Sequence, residues 1–254
     1  MRLLLRKTLA HQASDAHKYS HGTVGVVAGS AEYPGAAVLT VGGARRGGAG
    51  YIQYAAMNAL PTQLVLTAYP DVVKREMDKI SADSWVIGSG NPEGVSQMKM
   101  PRSTYVVLDA ESISLSSKSQ SAFTVITPHH GEFKTLGYEP TDGSSWEASA
   151  LQAAEDLNVF VVLKGEMTII ATPDGTIVSK RFGTPALATA GTGDVLAGFI
   201  ASMLASWKPQ TSGEVVKVLQ RSLRAHGTTA KIASRHRKPL TATDLLEELP
   251  KCLR

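Results

Sequence analysis

The chain has one cysteine, Cys252, among its 254 residues. A single cysteine cannot form a disulfide within the chain or build a cysteine-based metal site. Long apolar runs are also missing, because the longest, residues 195–204, is interrupted by Gly198 and Ser202 and is too short to cross a bilayer. The apolar part of residues 1–7 is too short for a signal peptide. We therefore predict a cytoplasmic protein that does not act at a membrane.

Aromatic residues and excess charge are scarce as well. Aromatics make up 6% of the chain, charged residues 19%, and the net charge is +4. Because no basic stripe with interleaved aromatics is present, nucleic acid is not expected as a partner. Glycine is plentiful, at 23 residues, and 43% of the chain is hydrophobic. This composition is typical of an α/β protein with a large core and many tight turns.

Short apolar segments alternate with helical ones along the chain. Strand patterns occupy residues 22–30, 51–56, 64–68, 85–88, 105–110, 124–128 and 159–165, with a hairpin at 168–178. Helical patterns occupy residues 34–49, 149–157, 193–206, 215–232 and a last short segment from 243. The alternation predicts one α/β domain over residues 1–254, with a mainly parallel sheet covered by helices on both faces. Ligands in such sheets bind at the carboxyl ends of the strands.

The segment Gly191-Thr192-Gly193-Asp194 is the most informative stretch. Its glycines allow a tight turn, and the N-terminus of the helix that follows attracts phosphate oxygens. Asp194 is placed to accept a proton from a hydroxyl that attacks phosphorus, as phosphoryl transfer requires. The competing interpretation is that Thr192 or Asp194 caps the helix and the glycines make a turn. The segment alone favours neither.

Three further segments lie at predicted strand ends. Lys164 to Thr168 reads as a turn that contacts a nucleotide, or as an ordinary turn after a strand. His129 and Glu132 read as ligand contacts, with Glu132 holding Mg²⁺ through water, or as an exposed polar loop. Asp109 follows an apolar strand, where it holds Mg²⁺ or caps the next helix; we favour the cap slightly.

Taken in order, these segments resemble the ADP/ATP-dependent NAD(P)HX dehydratase family of the ribokinase-like superfamily. The similar pieces run over nearly the whole chain: His17-Lys18 with Gly22, Val27-Ala28-Gly29-Ser30, Tyr33-Pro34-Gly35-Ala36-Ala37, Leu108-Asp109-Ala110, Thr127-Pro128-His129-His130-Gly131-Glu132, Leu163-Lys164-Gly165, Leu187-Ala188-Thr189-Ala190-Gly191-Thr192-Gly193-Asp194-Val195-Leu196-Ala197-Gly198, His226-Gly227 and Thr241-Ala242-Thr243-Asp244-Leu245. Gly-Thr-Gly-Asp alone indicates the superfamily, whereas Pro-His-x-Gly-Glu and Lys-Gly in this order are more specific. One turn departs from the family pattern: Gly88-Ser89-Gly90-Asn91-Pro92 stands where a Gly-Pro-Gly-Leu-Gly-like turn is usual.

The resemblance implies a ribokinase-like three-layer fold and a repair reaction. ADP or ATP phosphorylates the ring hydroxyl of hydrated NADH or NADPH, and loss of phosphate restores the dinucleotide. It further implies a homo-oligomer and suggests a tetramer. The residues do not distinguish ADP from ATP, although the stand-alone prokaryotic members that this chain resembles favour ADP.

The resemblance also assigns roles to individual residues. Asp194 is the base, and it contacts the hydrated dinucleotide together with Ala36, Gly90 and His129. The adenine nucleotide contacts the following residues: Lys164, Gly165, Glu166, Met167, Thr168 and Gly193. The anion hole consists of the N–H groups of Ala190, Gly191, Thr192 and Gly193.

Two other functions fit the same residues. One is a small-molecule kinase of the same fold that acts on a vitamin-precursor alcohol and keeps the phosphorylated product. The other is a nucleotide-sensing module without catalysis. Each uses the Gly191 to Asp194 segment, so that segment does not separate them.

Overall fold

Nine strands form one sheet in the computed structural model, which describes residues 19–55, 57–141 and 143–252. The His17-Lys18 pair of the resemblance lies outside these residues. The strands are β1 (Thr23–Val27), β2 (Tyr51–Ala55), β3 (Val73–Arg75), β4 (Ser84–Ile87), β5 (Tyr105–Leu108), β6 (Phe123–Ile126), β7 (Phe160–Leu163), β8 (Thr168–Ala171) and β9 (Ile177–Lys180). Their spatial order is β3-β2-β1-β4-β5-β6-β7-β8-β9. Strands β1 to β7 pair in parallel, and β8 and β9 add an antiparallel hairpin. The predicted mainly parallel sheet is confirmed.

Helices cover both faces of this sheet. They are α1 (Pro34–Ala44), α2 (Ala59–Ala68), α3 (His130–Thr135), α4 (Trp146–Leu157), α5 (Thr192–Trp207), α6 (Ser212–His236) and α7 (Ala242–Cys252). Of the 3₁₀ segments, Ala110–Lys118 follows β5 and Pro185–Leu187 precedes α5. In the described part of the chain, no helix is both long and apolar enough to cross a membrane.

The strand residues divide between two apolar cores. Val24 and Val26 point to the core that they share with α1, α5 and α6, whereas Val27 points to the opposite core, which includes α4. This alternation follows from the two-residue period of a strand, which sends neighbouring side chains to opposite faces. The three-layer arrangement is confirmed, and it aligns the carboxyl ends of β1, β4, β5, β6 and β7 at one edge.

Residues 64–68, predicted as a strand, instead form the end of α2. Asn58 caps this helix, because its side chain accepts a hydrogen bond of 3.0 Å from the N–H of Leu60. Pro61 and Val65, four residues apart, are both buried and define a helical face. A short apolar run has no periodicity of its own that separates strand from helix. The sequence pattern also missed β3, a polar strand of three residues that pairs with β2.

Helices α1 and α5 pack through glycine. A Cβ on Gly198 would lie 1.9 Å from the carbonyl oxygen of Thr40, and one on Gly43 would lie 2.1 Å from that of Val195. Real Cβ atoms do not approach this closely, so the two backbones come nearer than any other residue type would allow. Because α5 begins at Thr192, this contact also fixes the position of its N-terminus.

We expect Gly198→Ala to destabilise the fold by about 2 kcal/mol or more, because the added methyl group forces the two helices apart. The matched control is Gly213→Ala in the first turn of α6, where an added Cβ meets no atom within 4 Å. Alanine favours the helix there, so its effect is neutral or slightly stabilising. Thermal unfolding of both variants provides the measurement. Equal melting temperatures would contradict the close-packing argument.

Candidate active site

A cavity of about 710 Å³ opens at the carboxyl edge of the sheet. Seven of its lining residues come from the predicted segments: His129, Lys164, Gly165, Glu166, Thr168, Thr192 and Gly193. The rest of the wall is largely apolar and includes Phe182, Leu187, Leu196 and Leu223. A cavity of this size holds a drug-sized or nucleotide-sized ligand, and its lining offers both polar groups for an anion and an apolar surface for a flat ring.

The N-terminus of α5 forms one end of this cavity. Gly191 adopts a left-handed conformation, with φ of 86°, which turns the chain into the helix. The hydroxyl of Thr192 donates to the carbonyls of Leu187 and Thr189, at 2.8 and 2.9 Å. No side chain of the described residues caps α5, so neither Thr192 nor Asp194 is the helix cap of the competing interpretation.

The N–H groups of Ala190, Gly191, Gly193 and Asp194 have no acceptor within the residues that the structure describes, whereas the N–H of Thr192 donates to the carbonyl of Thr189 at 3.4 Å. Unpaired donors at a helix N-terminus carry partial positive charge and attract an anion. The turn therefore provides a site for phosphate oxygens.

Lys164 brings a positive charge to this turn. Its Nζ would lie 3.4 Å from a Cβ on Gly193, so the ammonium group faces the first turn of α5. A cation beside a helix N-terminus is unfavourable on its own. Its counter-charge is Asp109, whose Oδ1 lies 3.0 Å from Nζ. The pair joins the end of β5 to the end of β7.

Asp109 is held by three side chains. Its carboxylate accepts hydrogen bonds from Lys164, from Thr127 at 2.7 Å and from Ser89 at 2.9 Å, and the residue is 3% exposed. Burial alone would raise the pKa of Asp109, but Lys164 and the hydroxyl donors hold it below its ordinary value. The favoured prediction for Asp109 is wrong, because its side chain makes no capping hydrogen bond to the 3₁₀ segment Ala110–Lys118.

Asp194 lies in the first turn of α5, outside the wall of the cavity itself. Burial and the nearby Asp109 raise the pKa of Asp194 to about 7, although Lys164 lowers it. A carboxyl group with this pKa exchanges protons near neutral pH, which is the condition for an efficient general base. The combination of a raised pKa and a neighbouring anion site is typical of a reactive centre.

His129 and Glu132 form the cap of α3. The ring Nδ1 of His129 accepts from the N–H of Glu132 at 3.1 Å, and the Glu132 carboxylate accepts from the N–H of His129 at 2.7 Å. This capping box replaces the strand end or polar loop that the sequence predicted. His129 also pairs with Lys164 in a parallel bridge, which brings the ends of β6 and β7 together.

The described residues contain no cluster of three or more side chains that would hold a metal ion. Mg²⁺ bound with a nucleotide needs only one or two carboxylates, because phosphates and waters complete its shell. Glu132, whose side chain is 25% exposed, fits such a role through water. Asp109 fits poorly, because it is buried and both of its oxygens accept hydrogen bonds.

The residues assigned to the dinucleotide fall into two places. A Cβ on Gly90 would lie 2.4 Å from that of Ala36, so the turn after β4 contacts α1. His129 instead lines the cavity with the nucleotide residues. Gly191 touches Leu39, which lies one helical turn after Ala36 in α1, so Ala36 and the α5 turn are near each other. In the turn that departs from the family pattern, Ser89 is buried and bonded to Asp109.

The predicted residue roles missed two parts of the cavity. The segment from Phe182 to Thr189 forms much of the apolar wall. Its first part, up to Pro185, belongs to no motif, and Leu187 to Thr189 belong to a piece of the resemblance that gave them no role. His226 of α6 also lines the wall, with its Nε2 3.0 Å from the carbonyl oxygen of Thr192. Burial, together with the charge of Lys164, lowers the pKa of His226 to about 4, although the hydrogen bond to Thr192 acts in the opposite direction. The sequence signal that pointed to this residue was the His226-Gly227 pair inside a predicted helix.

Comparison with known proteins gives this site a family. A family model described as NAD(P)H-hydrate dehydratase matches residues 24–251. The chain is 36% identical over 210 residues to the bifunctional NAD(P)H-hydrate repair enzyme Nnr of Mycobacterium tuberculosis, which covers 78% of this chain and 43% of that protein. The chain therefore spans less than half the length of that relative.

Two solved structures have the same fold. The ADP/ATP-dependent NAD(P)H-hydrate dehydratase of Bacillus subtilis, co-crystallised with ATP and Mg²⁺, superposes with a TM-score of 0.82 at 27% identity, over 98% of this chain and 94% of that one. A ribokinase-like superfamily protein of Enterococcus faecalis gives a TM-score of 0.83 at 22% identity, over 98% and 93% of the two chains.

These matches confirm the predicted ribokinase-like fold and the predicted family. The family model begins inside β1 and ends in α7, so it includes every strand-end segment that the site uses. The chain belongs to the NAD(P)H-hydrate dehydratase family.

Proposed function

We propose that this chain uses ADP or ATP to phosphorylate the ring hydroxyl of hydrated NADH or NADPH, after which phosphate leaves and NAD(P)H is restored. One observation carries the proposal. The partly buried carboxyl of Asp194, with a pKa of about 7, lies in the same helical turn as the open N–H of Gly193, and the Lys164 ammonium lies beside Gly193. That arrangement supplies a base, an anion site and a cation for one phosphoryl transfer.

The cavity is the proposed nucleotide site. Lys164, Gly165, Glu166, Met167 and Thr168 form the turn between β7 and β8, and Gly193 lies opposite Lys164. We place the phosphates at this charged end and the adenine against the apolar wall. The N–H groups of Ala190 to Gly193 form the proposed anion hole. Glu132 would hold Mg²⁺ through water, and the ion would neutralise the negative charge of the phosphates.

Asp194 is the proposed base for the hydroxyl. The hydroxyl gives its proton to the Asp194 carboxylate as its oxygen bonds to the terminal phosphorus of the nucleotide. The bond between that phosphorus and the rest of the nucleotide breaks, and the shortened nucleotide leaves. Phosphate then departs from the ring carbon, and a proton leaves the neighbouring carbon, which restores the double bond. Ala36, Gly90 and His129 are the proposed contacts of the hydrated ring and its dinucleotide.

Further parts of the proposal rest on family membership. We expect ADP to be preferred over ATP, a homo-oligomer in solution, and action in the cytoplasm on a small dinucleotide. The Bacillus subtilis relative was crystallised with ATP and Mg²⁺, which supports a nucleotide with bound Mg²⁺ as the phosphate donor.

The direct test is incubation of the chain with hydrated NADH and either nucleotide. We expect recovery of the NADH absorbance together with release of phosphate. Failure to recover absorbance with both ADP and ATP contradicts the proposal. Accumulation of a stable phosphate ester from an added alcohol would instead support the kinase alternative.

We expect Asp194→Asn to lower the turnover rate by about two orders of magnitude or more, because the amide cannot accept the hydroxyl proton. The substitution is close in shape, so nucleotide binding, measured by calorimetry, should persist. A variant with full turnover shows that Asp194 is not the base. A wild-type protein that binds nucleotide and turns nothing over favours the sensing module.

The pH dependence follows from the raised pKa of Asp194. The base acts in its ionised form, so kcat/KM should rise with pH up to about 7 and level off above it. Asp109→Asn removes a negative charge that raises this pKa and leaves Lys164, which lowers it, in place. The ascending limb should therefore move to lower pH in that variant.

The control for this shift is Asp71→Asn, which removes a carboxylate that pairs with Arg45 outside the cavity. Its pH profile should coincide with that of the wild type. An unchanged profile in Asp109→Asn would show that Asp109 does not set the pKa of the base.

A further inference from the structure

His226 is a buried titratable group for which the proposed reaction has no role. It is 5% exposed and lies in the middle of α6, yet its ring reaches the cavity wall. The polar contact of the ring is the 3.0 Å approach of Nε2 to the Thr192 carbonyl oxygen. Since a carbonyl oxygen can only accept, Nε2 carries the hydrogen and the ring is held in one neutral tautomer.

The carbonyl that His226 contacts belongs to a peptide group of the anion site. The carbonyl of Thr192 and the N–H of Gly193 share one peptide bond, which is planar. A donor that fixes the carbonyl oxygen therefore also fixes the direction of the Gly193 N–H. A hydrogen bond to the oxygen further polarises the peptide and strengthens its N–H as a donor.

The surroundings hold His226 firmly in this position. A Cβ on the next residue, Gly227, would lie 1.9 Å from the carbonyl oxygen of Phe182, so α6 touches the cavity wall backbone to backbone. Thr192 is anchored from its other side, where its hydroxyl donates to the carbonyls of Leu187 and Thr189. The Thr192–Gly193 peptide is thus held by the hydrogen bonds of the Thr192 hydroxyl and by the contact of His226 with the Thr192 carbonyl oxygen.

We propose that His226 is a positioning residue of the anion site, which orients and polarises the Thr192–Gly193 peptide so that the Gly193 N–H binds the nucleotide phosphate. This inference rests on the proposed function, because it assumes that phosphate occupies the turn before α5. It assigns His226 no contact with the reacting atoms.

The test compares three variants in nucleotide binding and in kinetics. His226→Leu keeps the volume and removes the donor. His226→Gln keeps a donor, since its amide nitrogen reaches close to the position of Nε2. The matched control is Ser222→Ala, which removes a buried hydroxyl that donates to the carbonyl of Val218 within α6.

We expect His226→Leu to weaken ADP binding in the presence of Mg²⁺ by about tenfold, the effect of one lost buried hydrogen bond. The KM for nucleotide should rise and kcat should fall, whereas the KM for the hydrated dinucleotide should stay unchanged. His226→Gln should recover most of the affinity. Ser222→Ala should bind ADP as the wild type does, even if its melting temperature falls.

Two results would overturn the inference. One is wild-type ADP affinity and kcat in His226→Leu, measured well below its melting temperature. The other is a His226→Gln variant no better than His226→Leu. If His226→Leu does not fold, His226→Asn replaces it, because its shorter amide reaches only the Nδ1 position and should bind ADP more weakly than His226→Gln does.

The binding measurement keeps this inference separate from the proposed function. If the wild-type protein binds ADP but does not recover NADH, the proposed reaction is contradicted. The role of His226 in phosphate binding is then still tested by comparing the ADP affinities of the His226 variants. Wild-type protein that recovers NADH, together with an unaffected His226→Leu variant, contradicts the role of His226 alone.

Discussion

The ion pair between Asp109 and Lys164 is the interaction on which the site depends. A partly buried lysine beside a helix N-terminus is unfavourable unless a counter-charge lies close to it, and Asp109 lies 3.0 Å away. The same carboxylate helps to raise the pKa of Asp194, while the ammonium of Lys164 lowers it. The reactive carboxyl is therefore tuned by two opposite charges that hold each other in place. Removing Lys164 would leave the Asp109 carboxylate buried without a counter-charge, and removing Asp109 would leave the partly buried Lys164 ammonium without its nearest one.

The parallel sheet explains why such distant residues meet. Asp109 and Lys164 are 55 positions apart, but each ends a strand, and the two strands are separated by β6 alone. The strand patterns and the alternation with helices predicted this edge correctly. The residues assigned from the resemblance lie along it, and seven residues of the predicted segments line one cavity. Their individual roles remain predictions.

Other features depended on contacts that a linear pattern does not contain. Asp109 after a strand looks the same whether it caps a helix or meets a lysine, and its partners come from β4, β6 and β7. Residues 64–68 are apolar enough for a strand, and only the Asn58 cap and the buried face with Pro61 make them helical. His226 lies 34 positions from Thr192, and the part of the apolar wall from Phe182 to Pro185 has no motif. The sequence therefore predicted local structure from residue types, but it did not predict which residues far apart in the chain make contact.

The glycine contact between α1 and α5 divides the site into parts that differ in how freely they can change. Gly43 and Gly198 bring the two backbones together, so the phosphate turn at the start of α5 is set by main-chain geometry rather than by side-chain fit. The apolar wall is a connecting segment whose backbone is held at Phe182 by Gly227 and at Leu187 and Thr189 by the Thr192 hydroxyl, while its side chains face the cavity. Divergent evolution or protein engineering can therefore change the shape of that wall through its side chains while the main-chain geometry at the start of α5 stays as it is.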